Sequence, residues 1–253
     1  MKRLLVLLLS LTLVFTMAPS VAMADDTPDY SGKTIVIYTA NLRGDVDSYA
    51  RLATAKADFE AKGAKVFLVD VGNYMQGTIY ANNDRGESIF ELMDAAGYDV
   101  AAMGAYEFVY GDATTGQKWH GNLYNYKKQT ELKAAAGFKV ISSNLENTGN
   151  ANYAFDENAV LDGAGIKVGF VAQTDDAVFG MLSENTYKGG LTPKTEIKIP
   201  EEANITIGLS NIDDAIEGAK VTIATSTEDE PDIGAMVLTK SGESAEIDWI
   251  KDF

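Results

Sequence analysis

Three short runs constrain this chain more than anything else in it: Lys33 to Thr39 (KTIVIYT), Lys65 to Val71 (KVFLVDV) and Ile166 to Ala172 (IKVGFVA) are dominated by apolar and β-branched residues. A strand that is apolar on both faces must be covered on both, so it belongs inside a sheet layered with other elements. Between the first two runs lies a helical pattern, with Asp47 or Ser48 as the expected N-cap, Tyr49, Leu52 and Phe59 near helical spacing, and Gly63 as the stop. Glu87 to Ala96 (ESIFELMDAA) predicts a second helix closed by Gly97, Tyr98 to Met103 a third strand, Tyr124 to Ala136 a further helix, and Phe138 to Ser143 another strand. The last third differs. Asn211 to Glu217 reads as a short helix, and strands are expected at Lys220 to Ala224, Ile233 to Thr239 and Ala245 to Ile250, the last two joined by a hairpin-like turn at Lys240-Ser241-Gly242-Glu243. Thr186 to Asn204, rich in Lys, Thr, Pro and Glu, reads as a loop or an eroded segment. The pattern predicts an α/β fold with mixed sheets and helices outside.

The first 24 residues stand apart from that fold. Met1-Lys2-Arg3 is a short basic start, Leu4 to Phe15 is almost unbroken apolar sequence, and Ala22-Met23-Ala24 is a small-x-small cleavage site before Asp25. The apolar run is shorter than the roughly 20 residues of a membrane span. A secretory signal peptide over residues 1–24 is therefore expected, with cleavage after Ala24, a secreted or periplasmic product and no stable membrane anchor. The remaining roughly 230 residues are enough for a single domain from 25 to 253.

Charge and rare residues narrow the chemistry. The chain has 21 Lys and Arg against 37 Asp and Glu, a net charge of -16, one His and no Cys. An acidic surface opposes nucleic acid, so none is expected as a partner. Without Cys there is no disulfide framework and no thiolate zinc site, and a single imidazole forbids a multi-histidine centre.

Several segments carry a resemblance. Ile35 to Leu52 (IVIYTANLRGDVDSYARL), Phe67 to Thr78 (FLVDVGNYMQGT) and Glu87 to Gly111 (ESIFELMDAAGYDVAAMGAYEFVYG) resemble, in order and spacing, the opening motifs of the 5′-nucleotidase family of calcineurin-like metallophosphoesterases. Val140 to Leu145 (VISSNL) and Gly165 to Ala172 (GIKVGFVA) are similar to the family's following strands. The resemblance runs from about residue 33 to 172 and fades afterwards, where Ile205 to Ile250 reads as a compressed remnant. It implies a four-layer αββα metallophosphoesterase-like sandwich of two mixed sheets flanked by helices, with a shortened second half. Family members commonly carry a second, C-terminal domain, so the likeness covers the metallophosphatase domain alone.

The resemblance also implies a chemistry, hydrolysis of phosphate esters at two divalent metals held by carboxylates and imidazoles at strand ends. At those positions this chain departs from the pattern. Where the family has Asp-x-His it has Asn41-Leu42-Arg43; for Gly-Asp it has Gly72-Asn73; for Gly-Asn-His-Glu it has Gly104-Ala105-Tyr106-Glu107. The family's third-motif His and the Asp that follows it map onto Tyr106 and Val109, and the counterpart of a later histidine segment reads Ala224-Thr225-Ser226-Thr227. Asn41, Arg43, Asn73, Ala105, Tyr106, Glu107 and Val109 are thus expected to be vestigial site positions, with no catalytic residue, metal or cofactor among them. Arg43 is expected near Glu107, Asn41 and Asn73, either paired with Glu107 or binding a phosphate bidentately. Arg43, Glu107 and Tyr106 are the candidate ligand contacts.

Other features have bland readings beside functional ones. His120, next to Trp119, is a surface loop residue or a ligand contact. The aromatic residues Tyr106, Phe108, Tyr110, Trp119, Tyr124 and Tyr126 fill the space left by metals or line a pocket. Acidic pairs at Asp45 with Asp47 and Asp175 with Asp176, and the run Glu228 to Asp232, are solvated charge or a weak calcium contact without the ordered spacing of a calcium loop. The expected function is an exported, non-hydrolytic homologue that binds a small phosphorylated ligand or another exported protein. The alternatives are a residual metal-dependent phosphoesterase acting on nucleotides or related esters, and a structural envelope module.

Overall fold

Alternation at period two decides the architecture. In β1 (Lys33–Ala40), Ile35 and Ile37 belong to one core and Val36 and Ala40 to another; in β2 (Lys65–Asp70), Val66 and Leu68 likewise oppose Phe67 and Val69, and all of them are buried. Each strand therefore feeds two cores, which is why the runs lack a polar face. The computed structural model describes residues 28–108, 132–147, 155–181, 191–225, 230–251 and 253. The signal-like segment 1–24, Val109, His120 and most of the expected helix from Tyr124 lie outside them, although residues 132–135 are helical.

Helix α1 (Val46–Ala61) follows β1, and α2 (Ile79–Asp84) and α3 (Glu87–Ala96) follow β2. Next come β3 (Val100–Ala102), a 3₁₀ turn at Ala105–Phe108, β4 (Lys139–Ile141) and β5 (Leu145–Asn147). The later elements are β6 (Asn158–Asp162), β7 (Lys167–Gln173), α4 (Val178–Met181), β8 (Leu191–Pro193), β9 (Ile205–Ser210), β10 (Val221–Ala224), β11 (Asp232–Ser241) and β12 (Ser244–Trp249).

Six strands form one mixed sheet in the order β12-β11-β1-β2-β3-β4, with β1 to β4 parallel and β11 antiparallel to β1 from Lys33↔Thr239 to Ala40↔Asp232. A second mixed sheet has the order β10-β9-β7-β6, with β10, β9 and β7 parallel and β6 antiparallel. The sheets stack through Val36, Phe67, Val69 and Ile141 on one side and Val168, Phe170, Ile207 and Leu209 on the other. Phe67 and Phe170 meet edge to face with ring centroids 6.1 Å apart. On the far side of the first sheet, Tyr49 and Leu52 of α1 and Ile89, Phe90 and Met93 of α3 close the other core. The outer face of the second sheet carries irregular chain: Gly169 of β7 lies against Pro200 and Ala203, and Gly208 of β9 against Ile216. Among the described residues no helix is long and apolar enough to cross a membrane.

Three expectations are corrected. The N-cap of α1 is Asp45, whose carboxylate accepts from Asp47 N at 3.2 Å and Ser48 Oγ at 2.6 Å, because the left-handed turn at Gly44 starts the helix two residues early. Asn211 to Glu217 is not helical. Asn211 N extends the ladder to Gln173 O at 2.9 Å and Gly218 turns left-handed, leaving too few residues to nucleate a helix. Within the segment expected as a loop, Leu191–Pro193 is a short strand paired with Leu145–Asn147, while residues 186–190 lie outside the described part.

Candidate functional site

Parallel strands end on the same edge of a sheet, and the loops leaving those ends converge. Asn41 follows β1, Gly72 and Asn73 follow β2, Gly104 and Ala105 follow β3, Asn211 follows β9 and Thr225 follows β10. Both sheets therefore contribute to one locus. It is tightly packed: a Cβ on Gly72 would lie 2.8 Å from Gly104 N and 3.2 Å from Asn211 Nδ2, so only glycine lets these loops touch. Asn41, Arg43 and Asn73 have φ of 54, 49 and 64°, a left-handed conformation that asparagine tolerates better than arginine.

Neutral side chains join at the centre. Asn73 Nδ2 donates to Asn41 Oδ1 at 2.8 Å, and Asn41 Nδ2 donates to Thr225 Oγ1 at 3.1 Å. Asn73 Oδ1 accepts from Tyr106 N at 3.2 Å, and Asn211 Oδ1 accepts from Ala105 N at 3.3 Å. Asn41, Asn73 and Asn211 are fully buried, and Asn211 Nδ2 has no partner among the described residues. The structure thus brings Asn41, Asn73, Ala105 and the Tyr106 backbone together, and Val109 lies outside the described residues. Asn211 was missed by the sequence reading. Its only local signal is an asparagine closing an apolar strand, as Asn41 does.

Glu107 sits beside this amide ladder and is also fully buried. Its Oε2 accepts from Asn73 N at 2.7 Å and Gly104 N at 2.8 Å, and its Oε1 from Tyr74 N at 2.8 Å and Met75 N at 3.0 Å. Four backbone donors thus converge on the Glu107 carboxylate. Arg43 itself is half-buried, and its backbone N–H donates to Asn73 O at 2.9 Å.

A second buried carboxyl, Asp70, accepts from Gly72 N at 2.7 Å and from the Thr39 hydroxyl, which also meets Tyr98 OH at 2.8 Å. Burial pushes Asp70 well above the ordinary carboxylate range, against the pull of Thr39 and Gly72. Burial also raises Glu107, opposed by its four N–H donors. Tyr49, Tyr74 and Tyr98 are raised well above the usual phenol range, first by burial and then by the nearby Asp70 and Glu107 carboxylates or one another.

A pair of divalent cations needs shared anionic ligands to offset their mutual repulsion. The side chains converging from Asn41, Asn73, Asn211 and Thr225 offer neutral dipoles only, and Glu107 already accepts from four backbone N–H groups. Among the described residues no group of three or more His, Asp or Glu could hold a metal ion. This donor set does not fit a dimetal centre. Of the aromatic residues singled out, Phe108 is buried against Phe155, with centroids 6.5 Å apart, while Tyr110, Trp119, Tyr124 and Tyr126 lie outside the described residues.

No family model matches the sequence. The chain is 29% identical over 135 residues to a 5′-nucleotidase of Vibrio cholerae, covering 53% of this chain and 20% of that protein. It is 28% identical over 157 residues to a 5′-nucleotidase of Diplobatis ommata, covering 60% of this chain and 24% of that protein. The matches thus span less than a quarter of these two relatives. Among solved structures, a 5′-nucleotidase precursor of Thermus thermophilus matches with a TM-score of 0.62 at 16% identity, covering 86% of this chain and 54% of that one. A calcineurin-like phosphoesterase of Bacillus subtilis matches with a TM-score of 0.56 at 14% identity, covering 85% and 88%.

Proposed function

We propose that this chain, similar in sequence to 5′-nucleotidases and in fold to calcineurin-like phosphoesterases, is a non-hydrolytic relative of them that acts by binding. The observation that carries this reading is the 2.8 Å hydrogen bond from Asn73 Nδ2 to Asn41 Oδ1. It joins the loops after β1 and β2, where the resemblance calls for charged ligands. An amide ladder stabilises the loops without cations, and it provides no means of activating water or polarising a phosphoryl group. The signal-like residues 1–24 support export, which places its partner, a small phosphorylated ligand or another exported protein, outside the cytoplasm.

Elemental analysis after loading with manganese or zinc, combined with phosphate release from nucleoside 5′-monophosphates, tests the reading. The expected result is substoichiometric metal and no metal-dependent release. Stoichiometric metal accompanied by metal-dependent release would instead establish a residual phosphoesterase.

A further inference from the structure

The donors around Glu107 form more than a set of hydrogen bonds. Asn73, Tyr74 and Met75 contribute three successive backbone N–H groups, and Gly104 contributes a fourth from the neighbouring loop, all within 2.7 to 3.0 Å of one carboxylate. Successive N–H groups pointing into one concavity make an anion-binding nest, a motif in which left-handed residues turn the donors to the same side. Gly72 at φ 123° and Asn73 at φ 64° provide that turn.

We infer that the loops after β2 and β3 together build an anion site for a small carboxylate, and that Glu107 is its ligand supplied in cis. The site is made of backbone from one side and filled from the other. Glu107 reaches it from the 3₁₀ turn Ala105–Phe108 and is fully buried there. The side chains of Asn41, Asn73, Asn211 and Thr225 around it are neutral, and the neighbouring Asp70 carboxyl is held separately by Gly72 N and the Thr39 hydroxyl. The inference is independent of whether the chain hydrolyses anything, because it concerns backbone donors rather than the amide ladder.

Removing the Glu107 side chain should leave a hole shaped for a one- or two-carbon carboxylate. In Glu107→Ala, formate at about ten times its dissociation constant is expected to raise Tm by about 3 to 5 °C beyond sodium chloride at equal ionic strength. Wild type and Glu107→Gln, whose side chains still fill the hole, should show no such difference. A formate effect no larger in Glu107→Ala than in these two overturns the inference. Should Glu107→Ala fail to fold, amide exchange in Glu107→Gln decides: the amides of Asn73, Tyr74, Met75 and Gly104 should exchange at least about tenfold faster than in wild type, while Leu68 and Val69 in β2 stay protected. Unchanged protection of the four amides overturns it equally.

Discussion

Replacing Asn73 by Asp restores, at one position, the charge that a metal-binding relative would need, and so tests whether the locus is built for amides. Asn73 is fully buried, its Nδ2 donates to Asn41 Oδ1 at 2.8 Å, and its own N–H already faces the Glu107 carboxylate at 2.7 Å. In Asn73→Asp an oxygen would face the Asn41 oxygen with no proton between them, close to the buried Glu107. Losing the bond and burying an uncompensated charge should together cost about 3 to 5 kcal/mol at neutral pH. For a chain of this size that corresponds to a Tm lower by about 6 to 20 °C. Protonation offers relief, because a neutral carboxyl can donate to Asn41 as the amide does. The folded pKa of the new group is therefore raised above the unfolded value of about 4. Its deficit should be small below that value and should grow as pH rises through the folded pKa. Thermal melts of both proteins across the acid to neutral range, with and without manganese, measure this directly. A variant as stable as wild type at neutral pH without metal would refute the amide-ladder argument. A large manganese-dependent stabilisation of the variant would refute the loss of metal geometry.

Further outcomes follow from the same contacts. Gly104→Ala would place a Cβ against Asn73 Oδ1, 2.7 Å from Asn73 N and 2.8 Å from Glu107 Oε2; denaturant titration should show a loss of about 3 kcal/mol or more, and a neutral result would mean that the loops can part. Asp70 has a folded pKa raised by burial, so its contribution is fully present below the unfolded carboxylate value and is lost as pH rises through the folded one. Asp70→Asn should therefore flatten the fall in Tm between acid and alkaline pH, and an unchanged slope would show that the group is not neutralised on folding. Asp45→Ala should cost about 1 kcal/mol by removing the α1 cap, whereas Asp47→Ala should stay within about 0.5 kcal/mol; the reverse order in urea melts would contradict the cap geometry.

What the sequence disclosed was what is local. The apolar runs of β1 and β2 and the helix Glu87–Ala96 were legible because each carries its own period and stop, and α3 ends at the glycine expected. Asp45 was hidden as a cap because the left-handed turn at Gly44 that positions it leaves no apolar signal. Asn211 was hidden for a different reason. It reaches the locus only because β9 lies between β10 and β7 in a sheet stacked on the first, a relation that no window of sequence contains. The Asn41 and Asn73 substitutions were visible, but their bond to each other was not. The four backbone donors to Glu107 could not be guessed either, since N–H groups have no letter in the sequence.

The pairing of β1 with β11 also bears on the order in which the molecule can be completed. Lys33 of the first strand lies opposite Thr239, so one edge of β1 has no partner until about 200 further residues have been made. At about 5 to 20 residues per second, that edge, with its buried Ile35, Val36 and Ile37, stays open for roughly 10 to 40 seconds of synthesis. Parallel β2 can zip to the other side early, but the β11–β12 hairpin has to arrive before the sheet closes. The β11–β12 hairpin is thus the latch of this sheet, and an interval of exposed strand edge, when another chain could take its place, is built into the topology.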